Sequence, residues 1–228
     1  GFGRQSRHHW GAIASQHRQL RDCLRQGGWE RPGLLASLME PLCVEYRVNF
    51  NGFDFSPAPY PIDQCSLGGG IESIGVNSVG YLGSISAAAF IADTLDRGRW
   101  KKTGFNGLML PVLEDSTLAR RTTQGQLTVK DLLLFSTVCG TGLDTVPLPG
   151  DVTSEQIVSL LLDIAVLSLR LDKPLTARLM PVPGKSAGDP TGFDFEYFSN
   201  GCVLGLPAEP LSGLLASDQL MDIRPRKG

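Results

Sequence analysis

Residues 143–181 open with Leu143-Asp144-Thr145-Val146-Pro147-Leu148 and continue through Asp151-Val152-Thr153-Ser154-Glu155-Gln156. An apolar run follows over Ile157, Leu160, Leu161, Ile164, Val166, Leu167 and Leu169, then Lys173-Pro174, then Thr176-Ala177-Arg178-Leu179-Met180-Pro181. The first six residues read as a short apolar strand. Residues 151–156 are a helix start, with polar cap candidates and an acid in the first turn. The helix behind them is apolar nearly all round, which predicts burial on more than one side. Lys173-Pro174 stops it, and a second strand follows over 176–181. Strand, helix and strand in this order predict an α/β fold with largely parallel strands alternating with helices.

Working outward, the pattern predicts a helix over 6–26 that ends at Gly27-Gly28, and a shorter one after Pro32 through Leu34, Leu35, Leu38 and Met39. Residues 44–55 read as a strand, because Val44, Tyr46, Val48 and Phe50 alternate. Pro57, Pro59 and Pro61 then impose a stiff loop. Gly68-Gly69-Gly70 opens a helical stretch that carries Glu72, and a second, Ala-rich helix covers 84–95. A buried strand is expected over 105–112, with helices over 116–121 and 128–138. Three segments result: an N-terminal helical segment over 1–42, an α/β segment over 43–206 and an irregular tail over 207–228.

The chain has 228 residues, of which 42% are hydrophobic and 19% charged, a balance that supports a packed core. The net charge of −2 gives no reason to expect nucleic acid as a partner. No apolar run approaches the length of a membrane span, so no membrane association is expected. Five cysteines without a CxxC pair argue against a disulfide framework or a structural zinc site. His8, His9 and His17 all lie near the start, which leaves the body of the chain without a histidine. A polar start without Met or a signal peptide is expected of a piece of a longer chain in a reducing cytoplasm.

In α/β folds ligands gather outside the carboxyl ends of strands. Here those ends are Asp54-Phe55-Ser56-Pro57, Glu114-Asp115, the loop after Leu148, and Pro183-Gly184-Lys185. Asp54, Glu72, Glu114, Asp115 and Asp144 are candidate acid-base groups, or ligands for a hard divalent cation. The alternative for each is a helix cap or a loop carboxylate bonded to backbone amides. Arg178 and Lys185 suit a carboxylate or phosphate on a substrate, or else pair with those acids. Cys139 sits in a glycine-flanked turn with Gly140 and Gly142. It is either a nucleophile or redox thiol or a buried small hydrophobe. Its turn precedes its strand, so it enters a site from the other end or lies outside it.

Four strings, taken together, carry a resemblance. They are Gly52-Phe53-Asp54-Phe55-Ser56-Pro57, residues 107–115 ending in Glu114-Asp115, residues 138–149 around Cys139-Gly140-Thr141-Gly142-Leu143-Asp144, and residues 176–185 ending in Pro183-Gly184-Lys185. Their order and spacing over residues 45–205 resemble the C-terminal part of the domain-of-unknown-function 711 proteins, also called uncharacterised protein family 0210. That family is similar in fold to the pyruvate formate-lyase-like glycyl radical enzymes. The resemblance implies part of a ten-stranded α/β barrel, with the Cys139 segment as the counterpart of an interior finger loop. It also implies association with a missing N-terminal half, or a homo-oligomer. The Arg-Val-x-Gly radical motif is absent; Arg47-Val48-Asn49-Phe50 has Phe where Gly is required, so radical chemistry is not expected.

These readings lead to an enzyme acting on a small polar or anionic metabolite. Cys139, Asp144, Asp54, Glu72 and Glu114 would be its catalytic candidates, and Ser56, Gly140, Gly142, Arg178 and Lys185 would bind substrate. The rivals are a binding or regulatory protein that reuses an enzyme fold, and an assembly component that uses the apolar face of the helix over 153–170. The identity of any cofactor is left open.

Overall fold

The computed structural model describes residues 32–225, with side chains from Leu35 onward. The helix expected over 6–26, the three histidines and most of the N-terminal helical segment lie outside the described residues. The chain divides into two units: residues 32–55 with Thr94–Asn106, and Ser56–Asp93 with residues 107–225.

In the first unit, α1 spans Pro32–Tyr46 and contains Pro41. It absorbs the start of the strand expected over 44–55. The rest of that stretch forms no strand, only an isolated parallel bridge between Phe53 and Lys102. The reason lies in its aromatic residues. Phe50 packs on Phe53 at 4.9 Å, Phe53 on Phe55 at 5.4 Å, and Phe55 on Trp100 at 5.0 Å between ring centroids. Rings of neighbouring residues thus pack on one another instead of alternating across a sheet.

The second unit holds α2 (Leu67–Ser73), most of α3 (Ser84–Asp96), α4 (Ser116–Thr123), α5 (Val129–Phe135), β1 (Gly142–Pro149), α6 (Ser154–Leu171) and β2 (Thr176–Val182). β1 and β2 are parallel neighbours with α6 as the crossover between them, so the chain is α/β. α6 begins at a reciprocal capping box between Thr153 and Gln156, and ends at Asp172 in the left-handed conformation, one residue before Lys173-Pro174. Its packing departs from expectation. Only Leu160 and Ile164 are buried, while Val158, Leu161, Leu169 and Leu171 are exposed among the described residues. The helix therefore buries one line of side chains fully, half-buries Ile157, Leu162, Val166 and Leu167, and leaves Val158, Leu161, Leu169 and Leu171 exposed.

The strand expected over 105–112 is also absent. From Leu108 to Leu113 the segment nevertheless lies against β1: Gly140 N–H donates to Leu108 O at 2.8 Å and Val112 N–H to Asp144 O at 3.0 Å. Pro111 has no N–H to give a ladder. β1 itself is irregular at that point, as described below. Leu108, Leu110, Val112, Leu113, Leu143, Val146 and Leu148 form the centre of the core.

Candidate functional site

β1 carries a bulge. Leu143 pairs with Ala177 and Val146 with Leu179, so Asp144 and Thr145 together oppose Arg178. The apolar pattern agrees with it. Leu143, Val146 and Leu148 are three and then two residues apart, and an extra residue brings all three to one face. Asp144 and Thr145 are turned to the opposite face, which Arg178 shares. Thr145 takes a left-handed φ of 45°, an outlier for a β-branched residue. Its hydroxyl accepts from Leu113 N–H at 3.1 Å, which holds the bulge closed and fixes the neighbouring Glu114.

Three charged side chains meet there. Arg178 Nε donates to Asp144 Oδ1 at 2.5 Å, and Nη2 donates to Glu114 Oε1 at 2.6 Å. Burial works against the guanidinium's charge, but the bonds and charges of Asp144 and Glu114 hold its pKa above the ordinary arginine value. The Arg178 side chain stays 55% exposed and that of Glu114 29%, whereas Asp144 is only 11% exposed. Nη1 of Arg178 has no partner among the described residues. Asp144 is thus the buried anchor, and Arg178 and Glu114 are the more exposed partners.

The other expected residues lie elsewhere. Glu72 forms a two-pronged ion pair with Arg121, Nε to Oε1 at 2.7 Å and Nη2 to Oε2 at 2.8 Å, and accepts from Val79 N–H at 2.9 Å. Burial raises its pKa, but the Arg121 hydrogen bonds, the Val79 amide and the Arg121 charge more than offset this and hold it below the ordinary value. Asp54 belongs to the first unit, where its carboxylate accepts from Phe105 N–H at 2.8 Å and Asn106 N–H at 3.0 Å. Ser56 Oγ accepts from Gly107 N–H at 3.2 Å. Lys185 is in the turn beyond β2. At ~3.3 Å per residue its backbone stands well over ~10 Å from that of Arg178, and its ammonium has no partner among the described residues.

Cys139 is buried at the exit of α5. Its sulfur accepts from Gly142 N–H at 3.4 Å and lies 4.0 Å from Thr141 Oγ1. Gly142, at φ 103°, needs to be glycine, because a Cβ would collide with the Thr176 carbonyl. Among the described residues no group of three or more His, Cys, Asp or Glu side chains is placed to hold a metal ion. No helix among them is long and apolar enough to cross a membrane.

Asp115, buried, accepts five hydrogen bonds and joins the starts of α2 and α4; of the two readings its sequence position allowed, the helix cap is the one the structure holds. One feature escaped the sequence reading. A groove of about 650 Å³ is bordered by Pro149 at the end of β1, Gly188 after β2, Lys130, Cys202, Leu204 and Pro207. It is largely apolar, lies at the carboxyl end of β1, and none of the expected site residues lines it. Only the topological rule about strand ends pointed there.

The fold and site define an α/β protein with a βαβ unit and a charged cluster built on a bulged strand. The family model described as Uncharacterised ACR (DUF711) matches residues 35–197, and the chain belongs to that family. It is similar to the UPF0210 protein of Pyrobaculum aerophilum, 32% identical over 176 residues, covering 75% of this chain and 39% of the relative. The UPF0210 protein of Oleidesulfovibrio alaskensis is 34% identical over 150 residues, covering 64% and 33%. That of Methanocaldococcus jannaschii is 33% identical over 165 residues, covering 71% and 34%. The chain thus spans about two fifths or less of the length of these relatives. No solved structure matches it.

Proposed function

We propose that this chain carries part of the active site of an enzyme acting on a small polar or anionic metabolite, with Arg178 binding the substrate and Glu114 exchanging a proton with it. The observation that carries the reading is the bulge at Asp144-Thr145. It holds a β-branched residue in a strained conformation, which costs on the order of 1–3 kcal/mol. In return it aims Asp144 at Arg178 and leaves Nη1 facing outward. Strain of this kind gathers at sites where geometry matters more than stability. Asp144 fixes the guanidinium plane, so its free N–H groups are pre-organised for a carboxylate or phosphate.

The parallel β1–α6–β2 unit and the greater length of the relatives support a further element of the reading. The chain contributes part of a larger α/β barrel of the pyruvate formate-lyase type. It works in the cytoplasm without radical chemistry, and it associates with a second copy or with the remaining part of the family domain. Cys139, Gly140 and Gly142 form the turn that leads into β1 and thereby support Asp144.

The test is a thermal-shift screen of polar metabolites on the full-length protein, followed by mass-detected turnover. A true substrate stabilises wild type but not Arg178→Lys, and Glu114→Gln binds it without converting it. Equal stabilisation of Arg178→Lys, or undiminished turnover by Glu114→Gln, would refute the assignment. A second reading, a metabolite-binding protein without catalysis, is favoured by the apolar groove at the strand ends. Its ligand would stabilise Arg178→Lys as well as wild type and would be recovered unchanged.

A further inference from the structure

The loop Pro190-Thr191-Gly192-Phe193-Asp194-Phe195-Glu196-Tyr197-Phe198-Ser199 has no regular secondary structure, yet it is fixed at many points. Asn200 clamps it: Oδ1 accepts from Thr191 Oγ1 and from Phe193 N–H, each at 2.7 Å, and Nδ2 donates to Phe193 O at 2.9 Å. Phe198 N–H closes a turn on Phe195 O at 3.0 Å, and Ser199 N–H reaches Leu113 O at 2.6 Å. A loop held this way is pre-organised and has little freedom left to lose on binding.

What it holds in place is a row of aromatic rings open to solvent. Phe195 contacts Tyr197 at 5.3 Å and Phe198 at 5.0 Å between centroids, and Tyr197 contacts Tyr60 at 5.9 Å. Phe195 is 51% exposed, Tyr197 48% and Tyr60 43%. Isolated exposed apolar residues are ordinary; three large rings in contact are a patch. Asp194 and Glu196 alternate with these rings, both exposed and both without a partner among the described residues. Hydrophobic self-association alone does not call for two unpaired acids among the rings. A planar cation uses both features, since guanidinium stacks on aromatic faces and pairs with carboxylates in its plane.

We infer that Tyr60, Phe195, Tyr197, Asp194 and Glu196 form a docking surface for an arginine-bearing segment of a partner protein. The surface sets exposed rings and acids next to one another in sequence, which suits a segment with more than one arginine. It is distinct from the Glu114–Arg178–Asp144 cluster and does not depend on the function proposed there.

The test uses the full chain and two fluorescein-labelled peptides, (Arg-Gly)4 and (Lys-Gly)4, with binding read by fluorescence anisotropy. The arginine peptide should bind about five- to tenfold more tightly, because stacking distinguishes guanidinium from ammonium. Phe195→Leu with Tyr197→Leu should erase that preference. Asp194→Asn with Glu196→Gln should weaken both peptides and flatten their salt dependence. Tyr60→Leu, outside the loop, should reduce the preference in part, which keeps the test decisive if the loop variants misfold. Equal binding of the two peptides, or a preference that survives loss of the rings, would overturn the inference. So would free arginine competing at the peptide's own affinity, which would mark a small-molecule site, or a surface that binds neither peptide and instead self-associates through these rings.

Discussion

Asp115→Ala offers the sharpest test of how the second unit is held together. The Asp115 carboxylate accepts from Ser66 Oγ at 2.7 Å, Leu67 N–H at 2.6 Å, Gly68 N–H at 3.0 Å, and Thr117 and Leu118 N–H at 2.9 Å each. It therefore satisfies the free amides at the start of two helices whose sequences are almost fifty residues apart. Removing it strands the amides of Gly68, Thr117 and Leu118 in the interior, while the Ser66 hydroxyl can rotate to another acceptor. Three buried amides at about 1–3 kcal/mol each give roughly 3–9 kcal/mol. Relaxation and admitted water bring the expectation to about 4 kcal/mol, near the upper end for single substitutions. With a urea m-value of about 2 kcal/mol/M, the unfolding midpoint should fall by about 2 M. Labelling of buried Cys139, followed by mass spectrometry, reports opening of the same unit. It should accelerate by about a thousandfold in native buffer, at about 1.4 kcal/mol per factor of ten. Asp131→Ala, which removes a half-buried capping-box acid, is the control and should cost only about 1 kcal/mol. If Asp115→Ala lost no more than this control, the claim that one carboxylate joins α2 to α4 would be wrong.

Glu72 should set part of the acid limit of stability. Its folded pKa lies below its ordinary value of 4.5, so its contribution is complete above that pH and disappears as the pH falls through the depressed folded value. Urea midpoints measured from pH 7 to pH 3 should fall more steeply for wild type than for Glu72→Gln, and parallel curves would remove Glu72 from the account. Gly142→Ala should cost about 2–4 kcal/mol by combining a left-handed φ with a clash at the Thr176 carbonyl. Gly184→Ala, at φ 72° with nothing within 4 Å of the added carbon, should cost about 1 kcal/mol; thermal melts that rank the two equally would show that the clash is relieved at no cost.

The parts of the fold that were legible in the sequence are those fixed by local chemistry. The start of α6 was readable because Thr153 and Gln156 satisfy each other's backbone amides within one turn. Its end was readable from Lys173-Pro174, and β1 and β2 stood out as short apolar runs between helix signals. What misled was apolar content whose partner is not local. Phe50, Phe53 and Phe55 mimic a strand, but they pack on one another, and Phe55 packs on the distant Trp100. The apolar circumference of α6 predicted burial on several sides, and a sequence pattern cannot say whether the covering surface belongs to the same unit.

The charged cluster shows the same division more sharply. Carboxylates at 114 and 144 and a guanidinium at 178 were visible as chemistry, and the strand assignments placed 144 and 178 on neighbouring strands. Their meeting depends on register. The spacing Leu143, Val146, Leu148 contains three residues where alternation allows two, and that extra residue is the bulge in written form. A strand read as uninterrupted puts the fully buried Leu143 on the face opposite Val146 and Leu148, where Asp144 and Thr145 lie. Bringing it to the face of Val146 and Leu148 requires Asp144 and Thr145 to share one place in the ladder, opposite Arg178. Thr145 then carries the strain, and Leu113 N–H bonds its hydroxyl and so fixes the position of Glu114. Core packing and the charged cluster are therefore consequences of one inserted residue. Deleting Thr145 should disturb both together, whereas a substitution at Arg178 should leave Leu143 buried.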